Sequence, residues 1–387
     1  MIKHSALVRI ALAYCVAATT VAGCNGPQAS TVPASESFLD LGASAVAHDQ
    51  KLGPVGASSE DLVYLSYGSC GFSQCSAEVA VYTFPGGQPI GTWNAAGYAL
   101  GACSDEAGNV FITYILGSIG EILEFAHGGT TPVATLSDPT GSPVACSVDP
   151  LSGNLAVADG VGALLIYRNA SGSPTTYSYP GVSFDGVTYD NKGNVFVDGL
   201  TGGQSPQFVL AKLPKGGNSF ENITVNEQVA GVGELGWDRK YLTIGQSAWY
   251  KNEMNLIDRF EIRGTSGRFE SATQPRRIRG GVDQYSIVHE QIIIAYSWKP
   301  CSAICNDVGT VGIWHYPSGR VRAKHFTPKG LPSTGMALSL AQTIIDNHES
   351  PEAMKPYWVE RPRVRELDVP YDNLTTIRAD AGGKRER

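Results

Sequence analysis

One pattern appears and then repeats within residues 101–167, and it constrains the fold more than any other feature of the chain. Its first copy starts at Gly101-Ala-Cys-Ser-Asp105, passes through Gly108-Asn109 and enters the apolar run Val110–Tyr114. The second copy contains Ala145-Cys-Ser-Val-Asp149, Gly153-Asn154, Leu155-Ala-Val-Ala-Asp159 and Ala163-Leu-Leu-Ile-Tyr167. Strand-length runs and Gly-Asn turns that recur about every 45 residues are typical of a β-propeller blade.

Two strand positions can be followed through six such units. The first is rich in β-branched and aromatic residues, at 63–67, 110–114, 155–159, 195–198, 241–244 and 292–296. The second ends on an apolar residue before a glycine-bearing turn, at Phe84, Phe125, Tyr167, Leu213, Ile262 and Tyr316. We therefore expect an all-β fold, a six-bladed β-propeller over residues 58–342, with seven blades as the alternative if residues 343–380 add one more. The fixed period disfavours a β-sandwich of the same strand content.

A third element precedes the first strand position in most units, as in Gly186-Val-Thr-Tyr-Asp190-Asn-Lys-Gly193-Asn194. The pattern G-V-x-x-D-x-x-G-N-V-x-V resembles the innermost strand and first turn of blades in NHL-type and SMP-30-like propellers. Residues 335–340 have the character of one more inner strand with no unit after it. We predict that this strand completes the first blade, which would close the ring and hide the last sheet edge.

Residues 1–23 are predicted to be an export signal rather than part of the fold. Positive charge near the start comes from Lys3, His4 and Arg9. The apolar run Ile10–Val21 is shorter than the roughly 20 residues of a membrane span and fits a secretory signal. It closes on Val21-Ala22-Gly23-Cys24, which resembles the lipobox of bacterial lipoproteins. The resemblance implies that Cys24 becomes the lipidated first residue; the alternative is an ordinary signal peptide with an incidental cysteine.

Composition sets the remaining boundaries. Residues 24–57 are rich in Ala, Ser, Gly and Pro, which predicts a flexible tether. Residues 343–387 are predicted to be a charged, partly disordered tail. We expect an exported protein of the cell envelope, anchored to a bacterial membrane by lipid on Cys24, with the choice between inner and outer membrane left open.

The net charge limits the class of binding partner, and the cysteines bear on the redox environment in which the protein folds. The formal net charge of −7 argues against a nucleic-acid partner. An exported protein meets an oxidising environment, in which disulfides form and persist. Apart from Cys15 and Cys24, the cysteines form three natural pairs: Cys70 with Cys75, Cys103 with Cys146, and Cys301 with Cys305. Zinc at the last pair is the weaker interpretation, because a structural site needs four ligands and that loop holds no histidine.

One set of acidic residues suggests a site. Asp185, Glu234 and Asp283 fall at the start of the predicted inner strand in three consecutive units. In a propeller these positions surround one mouth of the central channel, where three carboxylates repel unless Ca²⁺, another divalent cation or a basic ligand lies among them. The resemblance to SMP-30-like lactonases implies a divalent metal at this mouth. Solvated surface acids are the alternative interpretation.

Two functions remain as hypotheses. The first is a lipid-anchored, non-enzymatic propeller that binds a protein, a glycan or another ligand and needs no cofactor. The second is a divalent-metal-dependent hydrolase or lactonase of the SMP-30-like kind, with its site at the channel mouth. The sequence contains no G-x-S-x-G, H-E-x-x-H or phosphate-loop motif, which favours the first hypothesis.

Overall fold

The fold is a six-bladed β-propeller, as the sequence predicts. A computed structural model describes residues 60–70, 74–229, 231–246, 256–276, 278, 282–288, 290–298, 308–326 and 333–341. Within these residues the strands form six separate sheets, each of four or five strands. The predicted signal, tether and tail, and the pair Cys301 and Cys305, lie outside the described residues.

Each sheet is one blade, and its strands are antiparallel from the inside outwards. Blade 1 contains β1 (Leu62–Cys70), β2 (Cys75–Thr83) and β3 (Pro89–Ala96). Blade 2 contains β4 (Tyr98–Ser104), β5 (Val110–Leu116), β6 (Ile119–Phe125) and β7 (Ala134–Asp138). Blade 3 contains β8 (Pro143–Val148), β9 (Leu155–Asp159), β10 (Ala163–Tyr167) and β11 (Thr175–Ser178), with a short 3₁₀ turn at Arg168–Ala170.

The second half of the chain repeats this arrangement with one irregularity. Blade 4 contains β12 (Val182–Tyr189), β13 (Val195–Thr201), β14 (Phe208–Leu213) and β15 (Glu221–Asn222). Blade 5 contains β16 (Thr224–Val225), β17 (Leu235–Trp237), β18 (Leu242–Gln246), β19 (Leu256–Arg263) and β20 (Ser266–Thr273). Blade 6 contains β21 (Val282–Val288), β22 (Gln291–Trp298), β23 (Val308–His315) and β24 (Val321–Phe326), and β25 (Gly335–Ser339) follows. In blade 5, β16 pairs in parallel with the outer strand β20.

The last strand closes the ring. β25 pairs antiparallel with β1, from Leu62 opposite Ser339 to Ser66 opposite Gly335, so it is the innermost strand of blade 1. The closing strand predicted from the sequence is therefore confirmed. The innermost strands run from one face of the ring, which we call the upper face, to the other, the lower face. β1 begins and β25 ends at the lower face, where the carboxylate of Asp61 accepts the N–H of Ala341 at 3.0 Å.

Apolar side chains on both faces of each blade bury against the neighbouring blades. In β1, Leu62 and Tyr64 pack into a core shared with blade 2, while Val63 and Leu65 pack into one shared with blade 6. All four are at most 1% exposed. Burial on both faces explains why the strand reads as a continuous apolar run rather than an alternating one. Each such side chain contributes about 1.5–3 kcal/mol of hydrophobic stabilisation.

A glycine near the start of the inner strand lets neighbouring blades approach closely. A Cβ atom on Gly101 would lie 2.5 Å from the carbonyl oxygen of Val144 in the next blade. A Cβ on Gly186 would lie 2.6 Å from the carbonyl oxygen of Gly233, again in the next blade. Both distances are below van der Waals contact, so a larger residue would push the inner strands apart. The glycine that opens the repeated pattern thus has a packing role.

We predict that Ala337→Asp in the closing strand lowers the free energy of unfolding by about 3 kcal/mol or more, because it buries an unpaired charge where the ring closes. Ala337 is 2% exposed and lies opposite Tyr64. Leu340→Asp, one residue past β25 and 37% exposed, is the matched control, with an expected change within about 0.5 kcal/mol. Urea unfolding of both variants measures the difference, and equal losses would contradict the importance of closure.

Candidate functional site: the central channel and its upper mouth

The six innermost strands surround a central channel, and its lower part forms a cavity of about 430 Å³. Its wall includes apolar side chains such as Val187, Ile287 and Leu338. The polar residues that line it include Asp105, Glu106, Asp190, Asn191, Glu234 and Arg239. The lining therefore combines apolar side chains of the strands with polar groups of the lower-face turns.

The aspartate of the repeated pattern holds the lower-face turn after the inner strand in blades 2 and 4. Asp105 accepts the backbone N–H and the side-chain amide of Asn109, both at 2.8 Å. Asp190 accepts the same two groups of Asn194, at 2.8 and 2.7 Å. The intervening Gly193 adopts φ +82°, which a glycine reaches without strain. These carboxylates are occupied by hydrogen bonds within their own turns, so the repeated D-x-x-G-N signal is structural.

The three acids singled out in the sequence lie at the upper ends of neighbouring inner strands. Asp185 is the extra residue of a β-bulge between Phe184 and Gly186 in β12. Asp283 occupies the corresponding bulge in β21, and its side chain lies outside the described residues. Glu234 directly precedes β17. The inner strands β4 and β8 have a register shift at the equivalent point without an acid there, so the bulge is a general feature of these blades and does not by itself mark a site.

Asp198 is a further acid at this mouth that sequence reasoning missed. It lies in β13 and is fully buried, with its two carboxyl oxygens accepting the N–H groups of Gly186 at 2.8 Å and Gly233 at 3.3 Å. Burial raises its pKa well above the ordinary range, and the charges of Asp185 and Glu234 raise it further, against the two backbone hydrogen bonds. Gly233 belongs to the next blade, so this carboxyl joins blades 4 and 5.

Glu234 takes part in a second connection between blades. The side-chain NH2 of Gln284 in β21 donates to Glu234 Oε2 at 2.7 Å. The side-chain oxygen of Gln284 accepts the N–H of Met336 in β25. The hydroxyl of Tyr285 lies 2.9 Å from Thr243 Oγ1 and 3.2 Å from the backbone oxygen of Glu234. Blades 5, 6 and 1 are therefore linked around the upper mouth by polar side chains.

These arrangements bear on the metal hypothesis. Within the described part of the chain, no three His, Cys, Asp or Glu side chains are placed so that they could hold a metal ion. Among the predicted ligands, Glu234 is bonded to an amide, and the neighbouring Asp198 is bonded to two N–H groups. The described groups alone do not fit a divalent-cation site. Because the Asp283 side chain is outside the described residues, the three-carboxylate metal site stays a prediction.

Two of the three predicted disulfides are confirmed. Cys70 and Cys75 are bonded across the upper-face turn between β1 and β2, with their Cα atoms 4.0 Å apart. Cys103 and Cys146 are bonded between the inner strands β4 and β8, with their Cα atoms 5.6 Å apart. The second bond joins blades 2 and 3 at the wall of the channel. The described residues contain no helix with the length and apolar character of a membrane span.

Comparisons with known proteins support the fold alone and indicate no function. No protein family and no curated protein matches the chain. A Bacteroides caccae protein of unknown function has a similar structure, with 10% identity and a TM-score of 0.51 over 72% of this chain and 99% of that one. A nidogen/laminin complex matches at 12% identity and a TM-score of 0.49, over 73% of this chain and 99% of that one. The propeller domain of Myceliophthora thermophila Cps50 (Swd1) matches at 9% identity and a TM-score of 0.46. The match covers 70% of this chain and 89% of that one.

We predict that Asp198→Ala lowers the free energy of unfolding by about 2–4 kcal/mol, because it leaves the N–H groups of Gly186 and Gly233 buried without an acceptor. Asp198→Asn retains one acceptor oxygen, so that one of the two N–H groups keeps its partner, and it removes an acid whose charge Asp185 and Glu234 oppose; its expected cost is about 1–2 kcal/mol. Urea unfolding at neutral pH compares the two variants. Equal losses would assign the effect to packing rather than to the hydrogen bonds.

Proposed function

We propose that this chain is a lipid-anchored, non-enzymatic protein of the bacterial cell envelope whose propeller binds a partner protein with its upper face. The observation that carries the proposal is the position of the chain ends. β1 begins and β25 ends side by side at the lower face. In this proposal a tether from Cys24 joins the propeller at its lower face, and the partner binds the opposite face.

Exposed aliphatic side chains on the upper face support a protein partner. Leu116 and Ile119 flank the upper turn of blade 2, and Val161 is the tip of the corresponding turn of blade 3. The two turns are neighbours, because the backbone of Gly120 lies against that of Gly141 in the connection that leads into blade 3. Aliphatic side chains grouped on adjacent turns form the kind of surface that marks a protein contact.

The engagement of the acidic residues supports a binding role over a catalytic one. The carboxylates of Asp105 and Asp190 hold turns, and that of Asp198 holds two blades together. A general acid or base must reach a substrate proton, and a carboxylate saturated by backbone donors in its own fold is poorly placed for that step. The resemblance to NHL-type blades is consistent with a scaffold.

The lipid anchor is tested by cell fractionation. We expect Cys24→Ala to move the protein from the membrane fraction to the soluble fraction, because it removes the thiol that the acyl chain modifies. Cys15→Ala, which changes a cysteine inside the predicted signal, is the matched control and should leave the protein in the membrane fraction. Membrane association of Cys24→Ala equal to that of the unmodified chain would overturn the anchor.

The binding face is tested by photo-crosslinking in intact cells. A photoreactive amino acid at Ile119, 55% exposed on the upper face, is expected to form adducts with an envelope protein. The matched control is Leu151, 61% exposed in a lower-face turn, where the yield should be several-fold lower. Adducts of equal yield from both positions, or adducts from Leu151 alone, would contradict recognition by the upper face.

A further inference from the structure

Two buried aspartates meet at the upper edge of the seam between blades 2 and 3. Asp138 ends β7, the outermost strand of blade 2, and Asp159 ends β9, the second strand of blade 3. Their exposed fractions are 5% and 0%. Thr140, in the connection between the blades, places its hydroxyl oxygen 2.6 Å from Asp138 Oδ1 and 2.7 Å from Asp159 Oδ2. Two carboxyl groups thus share one hydroxyl.

This cluster is one hydrogen short when both carboxyl groups are ionised. The hydroxyl of Thr140 carries a single hydrogen and cannot donate to both neighbours. Asp138 Oδ2 is also buried, and within the described part of the chain no donor reaches it. A proton on Asp159 removes the conflict, since its O–H donates to Thr140 while Thr140 donates to Asp138. The proton also removes one of two like charges that would otherwise lie buried on either side of a single hydroxyl, so the protonated arrangement is favoured.

The surroundings favour a proton over a metal ion. Backbone N–H groups already point at these oxygens: Thr140 at 2.7 Å and Gly141 at 3.2 Å from Asp138 Oδ1, Ser142 at 2.9 Å from Asp159 Oδ2, and Val161 at 2.8 Å from Asp159 Oδ1. Backbone N–H dipoles attract anions and repel cations. Ca²⁺ requires six to eight oxygen ligands, whereas this cluster offers two carboxyl groups and a hydroxyl.

The titratable group next to the two aspartates, Tyr167, does not take up or release a proton in their place. From β10, the hydroxyl of Tyr167 donates to the backbone oxygen of Ser137 at 2.9 Å, and burial raises its pKa, so that side chain stays neutral. Burial also raises the pKa of Asp159 from 3.8 to about 6; the charge of Asp138 adds to this rise, while bonds from Val161 and Thr140 oppose it. Asp159 therefore binds a proton in mildly acidic solution and loses it near neutrality.

We propose that Asp138, Thr140 and Asp159 form a proton-operated latch on the seam between blades 2 and 3. With the shared proton in place, the connection 138–142 is held against blade 3. Without it, two buried charges face each other across Thr140 and the upper edge of the seam loosens. The disulfide between Cys103 and Cys146 joins the inner strands of the same two blades, so the loosening is confined to the outer part of the upper face.

The sign of the pH dependence follows from the direction of the shift. A carboxyl group whose pKa is higher in the folded seam than in the opened one stabilises the seam fully below about pH 4, and this contribution is lost as the pH rises through about 6. Between pH 5 and pH 8, a shift from 3.8 to about 6 makes opening about tenfold more favourable. The latch is closed in acid and weakened in neutral solution.

Hydrogen exchange on the full chain tests the latch. After correction for the intrinsic pH dependence, we expect the protection of amides 140–142 and 161 to fall about tenfold between pH 5 and pH 8. Amides 105–109, in a lower-face turn, serve as the internal reference and should change less. This measurement needs no substitution. Constant protection at 140–142 would overturn the proposal.

Two variants and one addition separate the latch from other causes. In the Asp159→Asn variant the side-chain amide carries hydrogens that do not titrate. Protection of amides 140–142 should therefore become independent of pH. Asp258→Asn is the matched control, because Asp258 is also buried, with its pKa raised to about 6 mainly by burial, but lies in blade 5. That variant should retain the tenfold change. Restoration of protection at pH 8 by millimolar Ca²⁺ would identify a metal site and contradict the proton latch.

Discussion

The pairing of β25 with β1 is the constraint on which the rest of the structure depends. It joins strands from opposite ends of the domain, Leu62 opposite Ser339 and Ser66 opposite Gly335. Without this pairing, blade 1 would lack its inner strand and the ring would present an open sheet edge. Closure also fixes the polarity of the molecule, because it brings both ends of the propeller to the lower face. The position of both ends on one face thus follows from one pair of strands.

Burial of apolar side chains holds the ring together, and polar groups between the blades fix the position of each blade relative to the next. Thr113 Oγ1 lies 3.4 Å from the carbonyl oxygen of Val144, and Asp198 accepts the N–H of Gly233, each bond reaching from one blade into the next. Apolar packing tolerates small displacements between sheets, whereas a buried hydrogen bond with a defined partner does not. A glycine within the inner strand, such as Gly186, makes these approaches possible. We infer that such bonds set the register of neighbouring blades.

The sequence predicted the repeated parts of this fold and missed the parts that depend on neighbouring blades. The period, the closing strand 335–340 and two disulfides could be predicted because each is visible within one unit or by comparison of two. Asp198 and Asp159 were seen only as the last residues of strand-like runs. Whether such an acid is solvated or buried depends on the blade packed beside it, and strand periodicity carries no information about that contact. An acid inside an otherwise apolar run was the available signal.

A strongly raised pKa is often taken as the mark of an active site, and this propeller shows why geometry must decide. In the part of the chain that the structure describes, burial raises the pKa of Asp159, Asp198 and Asp258, and each of them is bonded to a neighbouring group of the fold. Asp159 and Asp198 lie where one blade meets the next. Their pKa values are raised because the packing of two blades removes their carboxyl groups from water. In the proposed latch, such a group changes with pH how firmly one blade is held against the next. A raised pKa in this ring is therefore explained by the packing of its blades and does not by itself mark a catalytic residue.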